Sequence, residues 1–253
     1  MGTKYSFARE LRTELIDVDK VFKQNLLPWW DDIYSYIKLL DDDLTWNQLP
    51  PLVYIVYQYL GLDRSISISM TNIFKTLYLA NSIHGRVTDD EEGQKYDREL
   101  QFSILIGDYM FGRMLKLLVE AGADKLVGHF AGMMAEINEG RVMEWKLQAD
   151  HKDVLLKTRG SLYATAFETA AQLSGMSGML LQNCRQLGLN LGMSIELMSC
   201  DIAREEVLVY IHEAERNFKI INQQHQRRAN SSMESAINEI HLLLCNIDNV
   251  AVV

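Results

Sequence analysis

Proline, cysteine and strand-forming stretches are all scarce. The 253 residues contain three prolines, Pro28, Pro50 and Pro51, so few positions can interrupt a helix. The three cysteines, Cys184, Cys200 and Cys245, stand far apart. They form no CxxC pair and no zinc-ligand spacing, and isolated thiols suit a reducing compartment. Alternating runs rich in Val, Ile and Thr are nearly absent, which argues against a β architecture. The longest uncharged run, Thr169 to Cys184, is polar in places and short of the ~20 apolar residues of a membrane span. The N-terminal MGTKYSFARELRTELID is charged throughout and lacks an apolar signal core. A cytoplasmic protein with no transmembrane segment is expected. Positive charge is also in deficit, at 25 Lys and Arg against 34 Asp and Glu, for a formal net charge of −9. That balance argues against a nucleic-acid footprint and disfavours an anionic membrane surface. There is no glycine-rich phosphate loop and no Ser-His-Asp arrangement, and the six histidines show no HExxH-type pairing.

What is present is helical spacing. Leu162, Tyr163, Ala166, Phe167, Ala170 and Leu173 step by three and four, as do Val207, Tyr210, Ile211, Ala214, Phe218 and Ile221. Twelve methionines suit a helical core with irregular gaps. The segment RELQFSILIGDYMFGRMLKLLVEAG is apolar almost all round, which predicts a helix buried on most faces. Breaks at DDDLTWNQLPP, GLDRS, HGRVTDDEEG, GADK, QADHKD, SGMSG and QRRANSS leave roughly eight to ten helices with short connections. The expected fold class is all-α, with residues 1–253 forming a single domain.

Four stretches offer polar side chains to a site. Asp108, inside the apolar segment, reads first as a buried acid that ties two helices, through Arg113 or a backbone group, and second as a catalytic carboxylate. Glu136, Glu139 and Glu144 form a stripe that either faces a cavity or is solvated. Gly188 and Gly192 are spaced for a close helix crossing ahead of Glu196 and Asp201. Thr88, Asp89, Asp90 and Glu91 fit a capping box, and adjacent acids at a helix start point in different directions rather than at one ion.

These pieces fall in the order found in the trans-type (E-) polyprenyl diphosphate synthases, which the sequence resembles. LPPLVYIVYQYLG resembles an early helix of that family, and KTLYLANSIHGRVTD the helix ending in its first aspartate-rich motif. ILIGDYMFGRMLKLL, with Asp108, Tyr109 and Arg113, is similar to its L-x-G-D-Y-x-x-x-R segment. MMAEINEGRVMEW, with Glu139, and LGLNLGMSIELMSCD resemble the later helices, the second of which leads into a second aspartate-rich motif. The resemblance spans about Pro50 to Asp201 and implies a single helical bundle around a central cavity. It also implies magnesium ions held by the two motifs, which bind an allylic diphosphate and stabilise its departure.

The departures are concentrated at those motifs. In the first, His84 is kept, but Gly85 and Arg86 stand at the paired aspartates, leaving Asp89 and, beside it, Asp90. In the second, Glu196 takes the glutamine position, Ser199 and Cys200 take the aspartates, and Asp201 falls one place late. Asp89 and Asp201 are the remaining metal candidates. The basic grip for the second diphosphate is reduced to Asn47, Gln48 and Pro50, with Tyr78 at a histidine position. Lys157-Thr158 lies one residue early relative to Leu162-Tyr163, and a one-residue shift turns a helical side chain by about 100°. Lys157 is therefore expected to point away unless the helix carries an extra residue. Ala80 and Asn81, where the family often limits chain growth, are small enough to permit a long product.

The resemblance thus implies an accessory chain, similar to component I of heteromeric heptaprenyl or hexaprenyl diphosphate synthase. Such a chain would be inactive alone, would bind no cofactor of its own, and would serve a partner that carries Mg2+. Its implied partners are a motif-complete synthase subunit or a second copy of itself, together with isoprenoid diphosphates, in a pathway such as menaquinone biosynthesis. Two other readings stay open. One is an active synthase that uses Asp89, Asp90, Glu196 and Asp201, with Arg86 on the diphosphate. The other is a non-enzymatic isoprenoid-binding protein.

Overall fold

A computed structural model describes residues 6–86, 98–200, 202–225 and 231–246. The helices are α1 (Ser6–Glu10), α2 (Arg12–Asn25), α3 (Trp30–Lys38), α4 (Leu44–Tyr59), α5 (Arg64–His84), α6 (Arg98–Glu120), α7 (Val127–Leu147), α8 (His151–Leu155), α9 (Ser161–Leu173), α10 (Gly178–Leu197), α11 (Arg204–His225) and α12 (Ser231–Asn246). A 3-10 turn at Asp124–Leu126 leads into α7, and a π-helical turn at Leu156–Gly160 joins α8 to α9. No strand occurs among the described residues. The fold is all-α, as expected, and the short α1 and α8 account for the helices beyond the expected eight to ten.

The core lies where α4, α5, α9 and α10 meet. Tyr57, Phe74, Phe167 and Leu191 are fully buried there, each contributing roughly 1.5–3 kcal/mol of burial. Phe74 meets Phe130 of α7 at a ring-centroid distance of 5.0 Å. Polar groups drawn into this core find partners: the Tyr57 hydroxyl lies 2.9 Å from Thr169 Oγ1. Gly188 and Gly192 do allow a close crossing of α10 on α9. A Cβ at Gly188 would sit 2.5 Å from the Tyr163 carbonyl oxygen, and one at Gly192 2.3 Å from the Tyr163 ring.

Two sequence expectations fail here. The break in DDDLTWNQLPP precedes the prolines: Asp43 caps α4, accepting from the Trp46 amide at 2.7 Å, and the helix runs through Pro50 and Pro51. Every residue from Gln48 to Tyr57 is buried, and that burial outweighs the backbone hydrogen bonds lost at the two prolines. Nor is α6 buried on most faces. It packs chiefly on α5, and Leu105, Leu115 and Val119 along its other side are exposed.

Candidate functional site

The site is centred on the C-terminal end of α5. Asp63 starts this helix, accepting from the Ile66 amide at 2.9 Å, and the buried Phe74, Leu77 and Ile83 hold it in the core. At its last turn Arg141 of α7 donates from Nη2 to the Asn81 carbonyl at 3.0 Å, a cation at a helix C-terminus. Its guanidinium lies over Gly85, so close that a Cβ there would sit 2.3 Å from Nη1. The space of a side chain at this position is held by the end of a flexible arginine. A carboxylate at residue 85 would displace that arginine. Arg86 beside it is exposed, and Asp89 and Asp90 lie outside the described residues.

His84 turns toward α6. Its ring lies against Gly107, where a Cβ would come within 2.2 Å of it, and stacks on Phe111 at 5.2 Å. Its Nε2 is 3.3 Å from Asp108 Oδ1, at ion-pair distance but without hydrogen-bond alignment. Asp108 is not the buried acid that the sequence suggests, since its side chain is 67% exposed. Arg113 does not serve it either, donating instead to Asn25 Oδ1 at 3.0 Å. Tyr109 is half-buried against the core.

Beyond the end of α5 a cavity of about 140 Å³ opens between α5, α7, α8 and the π turn. Its polar lining is Tyr78, Asn81, Arg141, Glu144, His151 and Arg159, with Thr158. The π turn carries the extra residue per turn that the spacing of Lys157 requires. Even so, Lys157 points away from the cavity and pairs with Glu139 Oε2 at 2.8 Å. Glu139 is 59% exposed and faces this lysine, while Glu144 of the same stripe lines the cavity. Arg159, two residues on, is the cation that faces inward. It donates to the Tyr78 hydroxyl, lies 4.8 Å above that ring, and sits 3.8 Å from Asp43 Oδ2. Tyr78 in turn donates to Asp43 Oδ1 at 2.7 Å. Burial alone would lower the Arg159 pKa, and Tyr78 and Asp43 outweigh it and raise it. Burial and the nearby charge of Arg159 hold the Arg141 pKa below the usual guanidinium value, and Glu144 only partly offsets them.

The second motif region is equally committed. Glu196 is buried and accepts from Thr45 Oγ1 at 2.7 Å and from the Tyr163 hydroxyl at 2.9 Å. Burial raises its pKa above the ordinary 4.5, and the Thr45 bond, Arg159 and the Tyr163 bond only partly offset this. Ser199 donates to the Glu196 carbonyl at 2.8 Å and the Cys200 thiol to the same oxygen at 3.4 Å, so both cap the end of α10. Asp201 lies outside the described residues. A buried acid with a raised pKa favours the native state at low pH and loses that advantage as pH rises past its unfolded value. Glu196→Gln keeps the two accepted hydrogen bonds and cannot ionise. Its stability relative to the parent chain should therefore increase from about pH 4 to about pH 7, as read by chemical denaturation across that range. A constant difference would show that Glu196 titrates alike in both states.

Among the described residues, the side chains at these two places do not make a magnesium–diphosphate centre. Cations hold the place of the first carboxylate pair, Glu196 is engaged by two hydroxyls, and Glu144 is the one carboxylate lining the cavity among the described residues. Magnesium needs convergent carboxylates beside substrate oxygens and water. Sequence reasoning missed Asp43, Arg141 and Arg159. Asp43 reads locally as a helix cap, and nothing local to residue 141 tells that its guanidinium crosses to α5.

The all-α fold is shared with solved polyprenyl, geranylgeranyl and geranyl diphosphate synthases. Among solved structures, the polyprenyl synthase of Caulobacter crescentus CB15, complexed with calcium and isoprenyl diphosphate, is similar with a TM-score of 0.73 and 15% identity, covering 94% of this chain and 97% of that one. The geranylgeranyl pyrophosphate synthetase of the archaeon Geoglobus acetivorans matches at a TM-score of 0.72 and 15% identity, over 94% and 99%. The geranyl diphosphate synthase small subunit of Antirrhinum majus matches at 0.70 and 15%, over 94% and 99%. Identity at this level speaks to the fold and not to the chemistry. No protein-family model matches the sequence, and no curated protein matches it.

Proposed function

We propose that this chain is the non-catalytic or regulatory subunit of a heteromeric long-chain polyprenyl diphosphate synthase, acting in isoprenoid or quinone side-chain biosynthesis such as that of menaquinone. The observation that carries the reading is Arg141 packed over Gly85, a cation where the resemblance implies a magnesium carboxylate. The chain then contributes no Mg2+ to prenyl transfer, and the metal and the allylic diphosphate are held by a motif-complete partner.

The surface supports a partner. On α6, Leu105, Leu115 and Val119 are exposed, and Gly112 on the same side has open space where a Cβ would be. On α7, Val142 and Trp145 are exposed along with Ala131 and Ala135, and Gly128 and Gly132 are likewise open. A helical glycine costs about 1 kcal/mol against alanine, and the chain's own packing does not call for these three. Closely approaching helices of a second subunit would. A small subunit among the similar structures agrees with that arrangement. On this reading the accessory chain helps its partner bind substrate and set product length.

Co-expression with the motif-complete synthase of the same host tests the pairing. A stable one-to-one complex through affinity capture and size exclusion is expected. Elution of this chain only as a self-dimer, with the synthase in a separate peak, would contradict it. A non-enzymatic isoprenoid-binding role is the second reading, favoured by the two guanidinium groups, of Arg141 and Arg159, at one cavity. It predicts diphosphate binding by the isolated chain and no synthase partner.

A further inference from the structure

Far from that cavity in sequence, two helices bring three metal-ligating side chains together. His212 and Glu215 are three residues apart on α11, so they share a face. His241 comes from α12, which packs along α11. Its Nδ1 is hydrogen-bonded to the Glu215 carboxylate, and the His212 and His241 rings meet edge to face with centroids 5.4 Å apart. One ligand atom from each of the three lies within 4.8 Å of the other two.

We propose that His212, Glu215 and His241 form a transition-metal site of the zinc class that fastens α12 to α11. Two imidazole nitrogens and one carboxylate oxygen form a His2Glu donor set, which suits zinc and leaves a position open for water. Magnesium and calcium prefer all-oxygen shells, so this site is chemically distinct from the metal centre implied by the resemblance. Zinc with bonds of about 2.0–2.1 Å would replace the short His241–Glu215 hydrogen bond, releasing its proton and moving that pair slightly apart, and would draw the His212 nitrogen in. The exposed His212 ring is free to turn inward. Arg216, next in the chain to Glu215, is occupied by Glu213 at 2.7 Å and does not compete for the carboxylate. A groove of about 370 Å³ between α11 and α12 reaches the site at Glu215, and His212 on its other side is exposed. The effect is structural. It would add to the burial of Met233, Ala236, Ile237, Ile240 and Leu244, which seats α12 on the core, and to Glu239, whose carboxylate accepts from Ser6 and Phe7 of α1.

The test uses the full chain, tag-free and stripped with chelator. Zinc titration by calorimetry should show one equivalent bound, with a rise in Tm. Cobalt should give visible d–d bands without a thiolate charge-transfer band, because a thiol–imidazole pair, Cys200 and His151 at 3.8 Å, is the competing ligand set. His212→Gln, at an exposed position that should not disturb folding, abolishes binding and the Tm rise, as does His241→Gln. Cys200→Ser retains both. No binding by the parent chain, unchanged binding in His212→Gln with native circular dichroism, or a thiolate band with cobalt would each overturn the proposal.

Discussion

Leu105→Glu combined with Trp145→Glu should abolish association with the synthase partner while leaving the chain folded. Both side chains are large, apolar and exposed, at 67% and 62%. Neither belongs to the core, so the cost to folding should stay within about 0.5 kcal/mol for each. At an interface the same residues bear differently. Buried aromatic and aliphatic anchors contribute about 2–4 kcal/mol when truncated, and a carboxylate placed there must also be desolvated unpaired. The pair should therefore weaken binding by more than about 100-fold, read by calorimetry or size exclusion at micromolar concentrations. An unchanged affinity, with Tm unchanged, would move the interface off α6 and α7.

Gly188→Val should be the most damaging single substitution in the core. A Cβ at this position would lie 2.5 Å from the Tyr163 backbone oxygen and 2.7 Å from the Phe167 ring. A side chain in the way can rotate, but a backbone carbonyl moves only with its helix, so α9 and α10 must separate. Overpacking of this kind costs about 3 kcal/mol, which lowers Tm by roughly 6–12 °C in a chain of this size. Tyr163 also donates to Glu196, so the displacement would disturb that bond as well. Gly132→Ala is the control. Nothing lies within 4 Å of its Cβ position, and the helix should gain about 0.5–1 kcal/mol. If the two variants melted alike, the close crossing of α9 and α10 would not be a determinant of stability.

The helical fold was legible because its signals are local. Steps of three and four in Leu162–Leu173, the spacing of Gly188 and Gly192, and the near absence of strand patterns all point one way, and the structure agrees. The misjudged points depend on which face a neighbour covers. Asp108 sits in an apolar segment, but apolar composition does not say that α6 is covered on one side only, and its carboxylate faces water beside His84. The prolines of α4 look like a terminus until burial on all sides is known. At the cavity, Gly85 is visible as a departure from a motif, whereas the guanidinium that lies over it, that of Arg141, comes from more than fifty residues downstream. Lys157 shows the same limit. Its displaced spacing is visible and the π turn accommodates it, yet its partner Glu139 is set by tertiary contact. His212 and His241 share no sequence motif and meet only because α12 folds back on α11.

The most direct test is turnover by each chain alone and mixed. The purified chain, given magnesium, an allylic diphosphate and isopentenyl diphosphate, should form no product. The motif-complete synthase of the same host should form little or only shorter product alone, and long-chain product when the two are combined. Magnesium-dependent product from this chain alone would contradict the reading of Gly85 and Arg141 as a closed metal site. A mixture no different from the synthase by itself would contradict the accessory role.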